Sequence, residues 1–146
     1  MQKRLIIVDS NALLHRSFHA LPPLKTSSGQ ETGAVYCYLL TLFKAINDLK
    51  ADRVVACFDT KAPTFRHEMF QDYKAQRPAT PTGIISQISV IKEVLNTLKI
   101  PVFVKEGVEA DDLIATICNK VSQDTEVFIV SGDLDNLQLV NENIKV

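Results

Sequence analysis

Between Glu106 and Leu139 the chain reads EGVEADDLIATICNKVSQDTEVFIVSGDLDNLQL, and five of its carboxylates fall at segment ends rather than along a polar face. Glu109, Asp111 and Asp112 stand at the start of an apolar-periodic stretch, and Asp133 and Asp135 follow an apolar run. Two more acids, Asp9 and Asp59, close the upstream runs RLIIVD and VVACFD. Each alone has an ordinary explanation. An acid in the first turn of a helix complements the helix dipole for a few tenths of a kcal/mol, and an aspartate beside a glycine suits a turn. A convergent set is different, because two unit charges ~4 Å apart repel by about 4 kcal/mol at an effective dielectric of ~20. Such crowding calls for a cation. With oxygen ligands and no nearby pair of histidines or cysteines, Mg²⁺ or Mn²⁺ fits better than Zn²⁺. Two such ions about 4 Å apart activate a water and stabilise the leaving oxygen of a phosphodiester.

The cationic half of that chemistry lies in Arg16 and in the stretch Thr60 to Gly83, which holds Lys61, Arg66, His67, Lys74 and Arg77 among Phe65, Phe70 and Tyr73. Arg16, Arg66, Lys74 and Arg77 could grip phosphates, and Tyr73 or Phe65 could stack on an unpaired base. Lys74 or Arg77 could also stabilise charge developing on a cleaved phosphate. For any one of these residues a solvated lid is an equally good reading. As a whole, the stretch is far longer than the roughly 4 to 6 residues that usually join elements, so it reads as a working loop.

The elements that must position these groups follow from periodicity. Arg4 to Asp9 reads as a buried strand, Ala12 to Ala20 as a short helix and Gly33 to Leu49 as an amphipathic helix with Val35, Leu39, Leu42, Phe43, Ile46 and Leu49 on one face. VVACFD gives a second strand ending at Asp59, Thr80 and Pro81 start a helix through Leu98, and Ile100 to Lys105 is a third strand. Asp111 to Val121 is a helix, Glu126 to Val130 a fourth strand, Leu134 to Val140 a short helix, and Ile144 to Val146 the start of a fifth strand. Strand and helix alternate throughout. The expected fold is α/β, with a mostly parallel central sheet covered by helices on both faces. Ligand sites in such sheets lie beyond the carboxyl ends of the strands, where Asp9, Asp59 and the Asp133/Asp135 pair all fall.

A chain of 146 residues with 46% hydrophobic content is one domain able to bury a real core. No stretch approaches the roughly 20 apolar residues that span a bilayer, and the apolar run after Met1 is too short for a secretory signal. A cytoplasmic protein without a membrane partner is expected. Cys37, Cys57 and Cys118 lie in apolar segments without C-x-x-C spacing and read as buried thiols. The net charge of −1 hides an asymmetry: from Glu106 to Glu142, nine acids face only Lys120. So acidic a half repels a phosphate chain unless cations bridge the two.

On these residues the chain resembles the 5′ nuclease domain of bacterial DNA polymerase I, in the flap endonuclease and PIN-like superfamily. The pieces that carry the likeness are IIVDSNALLHRSFHAL, AVYCY, VVACFDTKAPTFRHEMFQDYKAQRPATP, GVEADDLIATI and SGDLDNLQLV, in the family's order over nearly the whole chain. The resemblance implies a metal site of Asp9, Asp59, Glu109, Asp111, Asp112, Asp133 and Asp135, holding Mg²⁺ or Mn²⁺. It further implies that Arg16 contacts substrate phosphates, that residues 61–83 form an arch for a single-stranded 5′ end, and that Lys74 and Arg77 lie nearest the scissile phosphate. The implied activity is 5′-3′ exonuclease and 5′-flap cleavage on DNA and RNA primers in replication and repair, with a polymerase domain in a longer parent chain. Two features depart from the family pattern. Leu134 stands where a basic residue is usual, and the chain stops at Val146, before a helix-hairpin-helix region and a further Asp pair. A truncated piece with an incomplete second ion site and weak activity is therefore expected. The alternatives are a module that binds branched nucleic acid without cutting it, and a small-phosphoester hydrolase with Asp9 as nucleophile. The latter would want Asp-x-Asp on the first strand, where Ser10 and Asn11 follow instead.

Overall fold

The computed structural model describes residues 3–60, 62–70, 79–121 and 123–146. Among these, five strands run in the order β3-β2-β1-β4-β5, all neighbours parallel. They are β1 (Lys3–Asp9), β2 (Arg53–Cys57), β3 (Val102–Phe103), β4 (Thr125–Val130) and β5 (Ile144–Lys145). The helices are α1 (Ser10–Ala20), α2 (Gly33–Leu49), α3 (Phe65–Met69), α4 (Thr82–Thr97) and α5 (Ala110–Lys120), with a 3₁₀ turn at Leu134–Leu139.

The period-two alternation of β1 sorts its side chains between two cores. Ile6 and Val8, with Ala56 and Phe58, pack under Leu13 and Leu14 of α1, Tyr38 and Leu42 of α2, and Ile84, Ile91 and Leu95 of α4. Leu5 and Ile7 face the other way, with Cys57, Val127 and Ile129, against Ala110, Ile114 and Cys118 of α5. Both faces of the central strands are thus covered, which is why they are almost purely apolar. Cys57 and Cys118 are buried and Cys37 is partly exposed, all three as free thiols.

Three boundaries differ from the sequence expectation. The third strand is two residues long rather than six, because β3 is an edge strand paired only with Ala56 and Cys57 of β2, and Val104 and Lys105 run on exposed without a ladder. The second strand stops at Cys57, and the backbone N–H of Asp59 donates to the Asn11 side chain of α1 instead, at 3.1 Å. Thr80 does not cap α4. Pro81, extended at ψ 139°, occupies the cap position, and its carbonyl accepts from Ile84 N at 2.9 Å. Residues 82 and 83 of the expected arch therefore belong to α4, and residues 65–69 within it are helical.

Candidate functional site

The strand order reverses between β1 and β4, so the crevice beyond their carboxyl ends is the position where sheets of this kind bind ligands. Asp9 ends β1 there, only 4% exposed, and caps α1 by accepting from Ala12 N at 3.2 Å. Next to it, Ser10 Oγ and the Tyr38 hydroxyl lie 2.9 Å apart in the core and fasten the first turn of α1 to α2. Across the crevice, Ser131 Oγ donates to Asp9 Oδ2 at 2.6 Å. The same oxygen accepts from Asp133 N at 2.9 Å and from Asn136 Nδ2 at 3.2 Å, so one hydroxyl ties the end of β1 to the turn after β4.

Asp59, exposed beyond β2, accepts from Ala110 N at 2.7 Å and so holds the start of α5 to the second strand. The first turn of α5 then presents Glu109, 7% exposed at the cap, and Asp111, half-buried. Asp9, Asp59, Glu109, Asp111 and Asp133 line one cavity of about 400 Å³, together with Asn11, His15 and Thr80. The charges feel one another. Burial, then repulsion from Asp9, Asp133 and Asp59, pushes the Asp111 carboxyl up to about 6, and the 3.4 Å contact from Asn136 Nδ2 opposes this only weakly. Burial also pushes Asp9 up, opposed by its bonds from Ser131 and Ala12 and reinforced by Asp59 and Asp133.

The donor set is all oxygen and anionic, which suits a hard divalent cation. Its chemistry fits Mg²⁺ or Mn²⁺. Among the described residues, no group of three or more His, Cys, Asp or Glu side chains already stands in an ion-holding arrangement. Asn136 Oδ1 is buried there without a hydrogen-bond partner.

The structure divides the seven expected ligands. Asp112 faces away from the cavity: its two oxygens take a paired contact from Arg66, 2.7 Å each, and it accepts from Glu109 N at 2.9 Å to complete the capping box. Asp135 is exposed, does not line the cavity, and donates its backbone N–H to Asp133 at 3.0 Å. Arg66, expected to grip phosphate, spends its guanidinium on Asp112, with Glu109 at 3.7 Å and the Phe65 ring 4.6 Å beneath it. Arg16 is exposed on α1, its Cδ 4.0 Å from where a Cβ on Gly132 would stand, beside the turn that carries Asp133. Lys61, Tyr73, Lys74 and Arg77 lie outside the described residues. Ser131 and Asn136, which hydrogen-bond to Asp9 and Asp111, are not singled out by the sequence. The only hint was a hydroxyl just before the Gly132–Asp133 turn, and nothing in the sequence marks Asn136.

Fold and pocket together define a doubly wound α/β protein with an acidic crevice at its switch point. The chain belongs to the 5′-3′ exonuclease family, and residues 4–146 match that family's N-terminal resolvase-like domain. It is 46% identical over 145 residues to a 5′-3′ exonuclease of Aquifex aeolicus, covering 99% of this chain and 50% of that protein. It is 41% identical over 144 residues to DNA polymerase I of Pseudomonas aeruginosa, covering 98% of this chain and 16% of the polymerase. The chain thus spans about half the length of the first relative and a sixth of the second. Its fold is shared with a T5 protein co-crystallised with metal ions, at TM-score 0.74 and 23% identity over 98% of this chain and 54% of that one. T5 flap endonuclease in a complex with DNA and metal ions superposes at TM-score 0.70 and 22% identity, with 98% and 54% covered. Among the described residues, no helix is long and apolar enough to cross a membrane.

Proposed function

We propose that this chain carries the acidic centre of a 5′ nuclease that hydrolyses phosphodiester bonds from a 5′ end or at a 5′ flap of DNA, and of RNA primers, in replication and repair. The observation that supports it best is the single cavity lined by Asp9, Asp59, Glu109, Asp111 and Asp133, in which burial first, and then repulsion from Asp9, Asp133 and Asp59, raises Asp111. In this reading those five carboxylates hold Mg²⁺ or Mn²⁺, with Asp135 and Asp112 as outer members. The bound ions supply an activated water and charge neutralisation at the scissile phosphate. Asp9 is held in place from two sides, by the α1 backbone and Ser131, so its oxygens keep a fixed direction. Asp59 fixes the start of α5 and thereby the direction in which Glu109 and Asp111 face. Arg16, beside the Gly132 turn, contacts the phosphate chain, and Lys74 and Arg77 act nearest the phosphate being cut, with Tyr73 against an unpaired base. A polymerase domain in the parent chain would be the natural partner.

A 5′-flap oligonucleotide incubated with Mg²⁺ or Mn²⁺ tests this directly. Cleavage lost in Asp111→Ala and in Asp133→Ala is the expected result, and an intact substrate at every metal concentration, with the circular dichroism of a folded protein, would sink it. A module that binds branched nucleic acid without cutting is the second reading; it would use the same acidic cavity, with cations bridging it to phosphate and no hydrolysis. Calorimetric titration with Mn²⁺ separates the two: two tight sites go with catalysis, and one weak site or none with binding alone.

A further inference from the structure

Two histidines stand one turn apart on α1, His15 and His19. Residues four apart share a helix face, and these two rings meet with centroids 5.8 Å apart and planes inclined by 38°. Both residues are exposed. Among the described residues neither ring has a hydrogen-bond or ion-pair partner, so in its neutral form each keeps an acceptor nitrogen to offer a metal. The Phe18 ring meets His19 edge-on, with centroids 5.2 Å apart and planes at 86°, which limits the directions that His19 takes. The surroundings favour a cation. His15 lines the carboxylate cavity with Asp9, Asp59 and Asp111. His19 lines a smaller cavity of about 230 Å³ with Glu31, whose ion pair with Lys25 is long at 3.7 Å. Acids thus stand near both ends of the pair.

We infer that His15 and His19 form a two-nitrogen site for a borderline divalent transition ion such as Zn²⁺, separate from the all-oxygen centre at the carboxylates. Imidazole suits Zn²⁺, Cu²⁺ and Ni²⁺, whereas carboxylate suits Mg²⁺ and Mn²⁺, so the two sites take different metals. Helical histidines at this spacing bind zinc from one face of their helix. Two imidazoles on a tetrahedral ion at ~2.1 Å place their ring centroids roughly 5 Å apart. The observed 5.8 Å is slightly wider, and small rotations of two exposed side chains close the difference. The coordination positions left over are open to water. Along the chain no histidine pair stands near the acidic stretch from Glu106 to Leu139. The fold brings this one to the rim of the acids, because α1 starts directly from the strand end that carries Asp9. The site holds whether or not the carboxylates cut a phosphodiester.

The test follows the imidazole nitrogen resonances of the three histidines as Zn²⁺ is added in excess Mg²⁺. His15 and His19 should move together in one transition, while His67, its Nδ1 3.0 Å from Thr64 Oγ1, stays in place. His19→Gln should weaken the Zn²⁺ response of His15 about tenfold or more, and His15→Gln that of His19, since even residues behind metal ligands cost that much. Asp111→Asn should leave both responses in place. In the unsubstituted chain, one equivalent of Cu²⁺ should show two bound imidazole nitrogens by electron paramagnetic resonance, a readout that needs no variant. A His15 response indifferent to His19→Gln would overturn the site, as would a single coupled nitrogen or movement of His67 to the same extent. Loss of both responses in Asp111→Asn would assign the ion to the carboxylates and overturn it too.

Discussion

The two sides of the first turn of α5 treat neighbouring aspartates in opposite ways. Successive helical residues point about 100° apart, so Asp111 faces the cavity and Asp112 faces α3. Asp112 is satisfied by two 2.7 Å contacts from Arg66 and by the Glu109 N–H. Asp111 has a weak contact from Asn136 and is surrounded by Asp9, Asp133 and Asp59, which, after burial, raise its proton affinity. Asp112, which fastens α5 to α3, is paired, whereas Asp111 is left among like charges. The difference lies in the partner and not in the residue type or its place in EADD.

The sharpest way to break this comparison is to neutralise each residue in turn. Asp111→Asn should reduce cleavage by about 10²- to 10³-fold or more while raising the melting temperature of metal-free protein at pH 7. The pH dependence follows from the sign of the shift. Folding raises the Asp111 carboxyl from 3.8 to about 6, so between those values the native state holds a proton that the unfolded chain has released. Its contribution to stability therefore falls as pH rises through that window. Thermal melts of the metal-free protein at pH 5 and 7 should show a loss at pH 7 that Asp111→Asn diminishes. No difference between the variants would remove the idea of a strained cluster.

Removing the partner on the other side should do the reverse. Arg66→Ala should destabilise the chain by about 2 kcal/mol, the scale of charge-assisted hydrogen bonds. Combined with Asp112→Ala it should be less than additive, as for residues in direct contact. Urea denaturation of the two single variants and the double one measures this, and strict additivity would mean that the pair is not a unit. A smaller effect is expected of Ser131→Ala, which removes one donor from Asp9 and leaves the ligand set intact. Mn²⁺ affinity by calorimetry should drop about tenfold, the low end for residues that orient metal ligands, and the melting temperature should fall as well, because Asp9, Asp133 N–H and Asn136 each lose a hydrogen-bond partner.

Much of the fold was legible beforehand. The boundaries of α2 match the periodic stretch Gly33 to Leu49, and the parallel sheet follows from the alternation of runs such as RLIIVD and VVACFD with amphipathic segments. That Asp9 and Asp133 would line the crevice was legible because one ends a strand and the other closely follows one, where a parallel sheet opens to ligands. The length of β3 was not, since an apolar sequence cannot say that its strand will lie at an edge with one partner. Nor was the separation of Asp112 from Asp111, which depends on Arg66 arriving from 46 residues away.

By itself the sequence determined which segments bury their apolar faces, and that carboxylates would gather at one edge of the sheet, because burial patterns and strand ends are written locally. Only the tertiary structure decided which of those carboxylates share a cavity and which is neutralised, that Ser131 joins two strands through one hydroxyl, and that a histidine pair stands at the rim of the acids. These are matters of distance between segments far apart in the chain. Electrostatic pairing and cavity shape depend on that distance, and no local pattern encodes it.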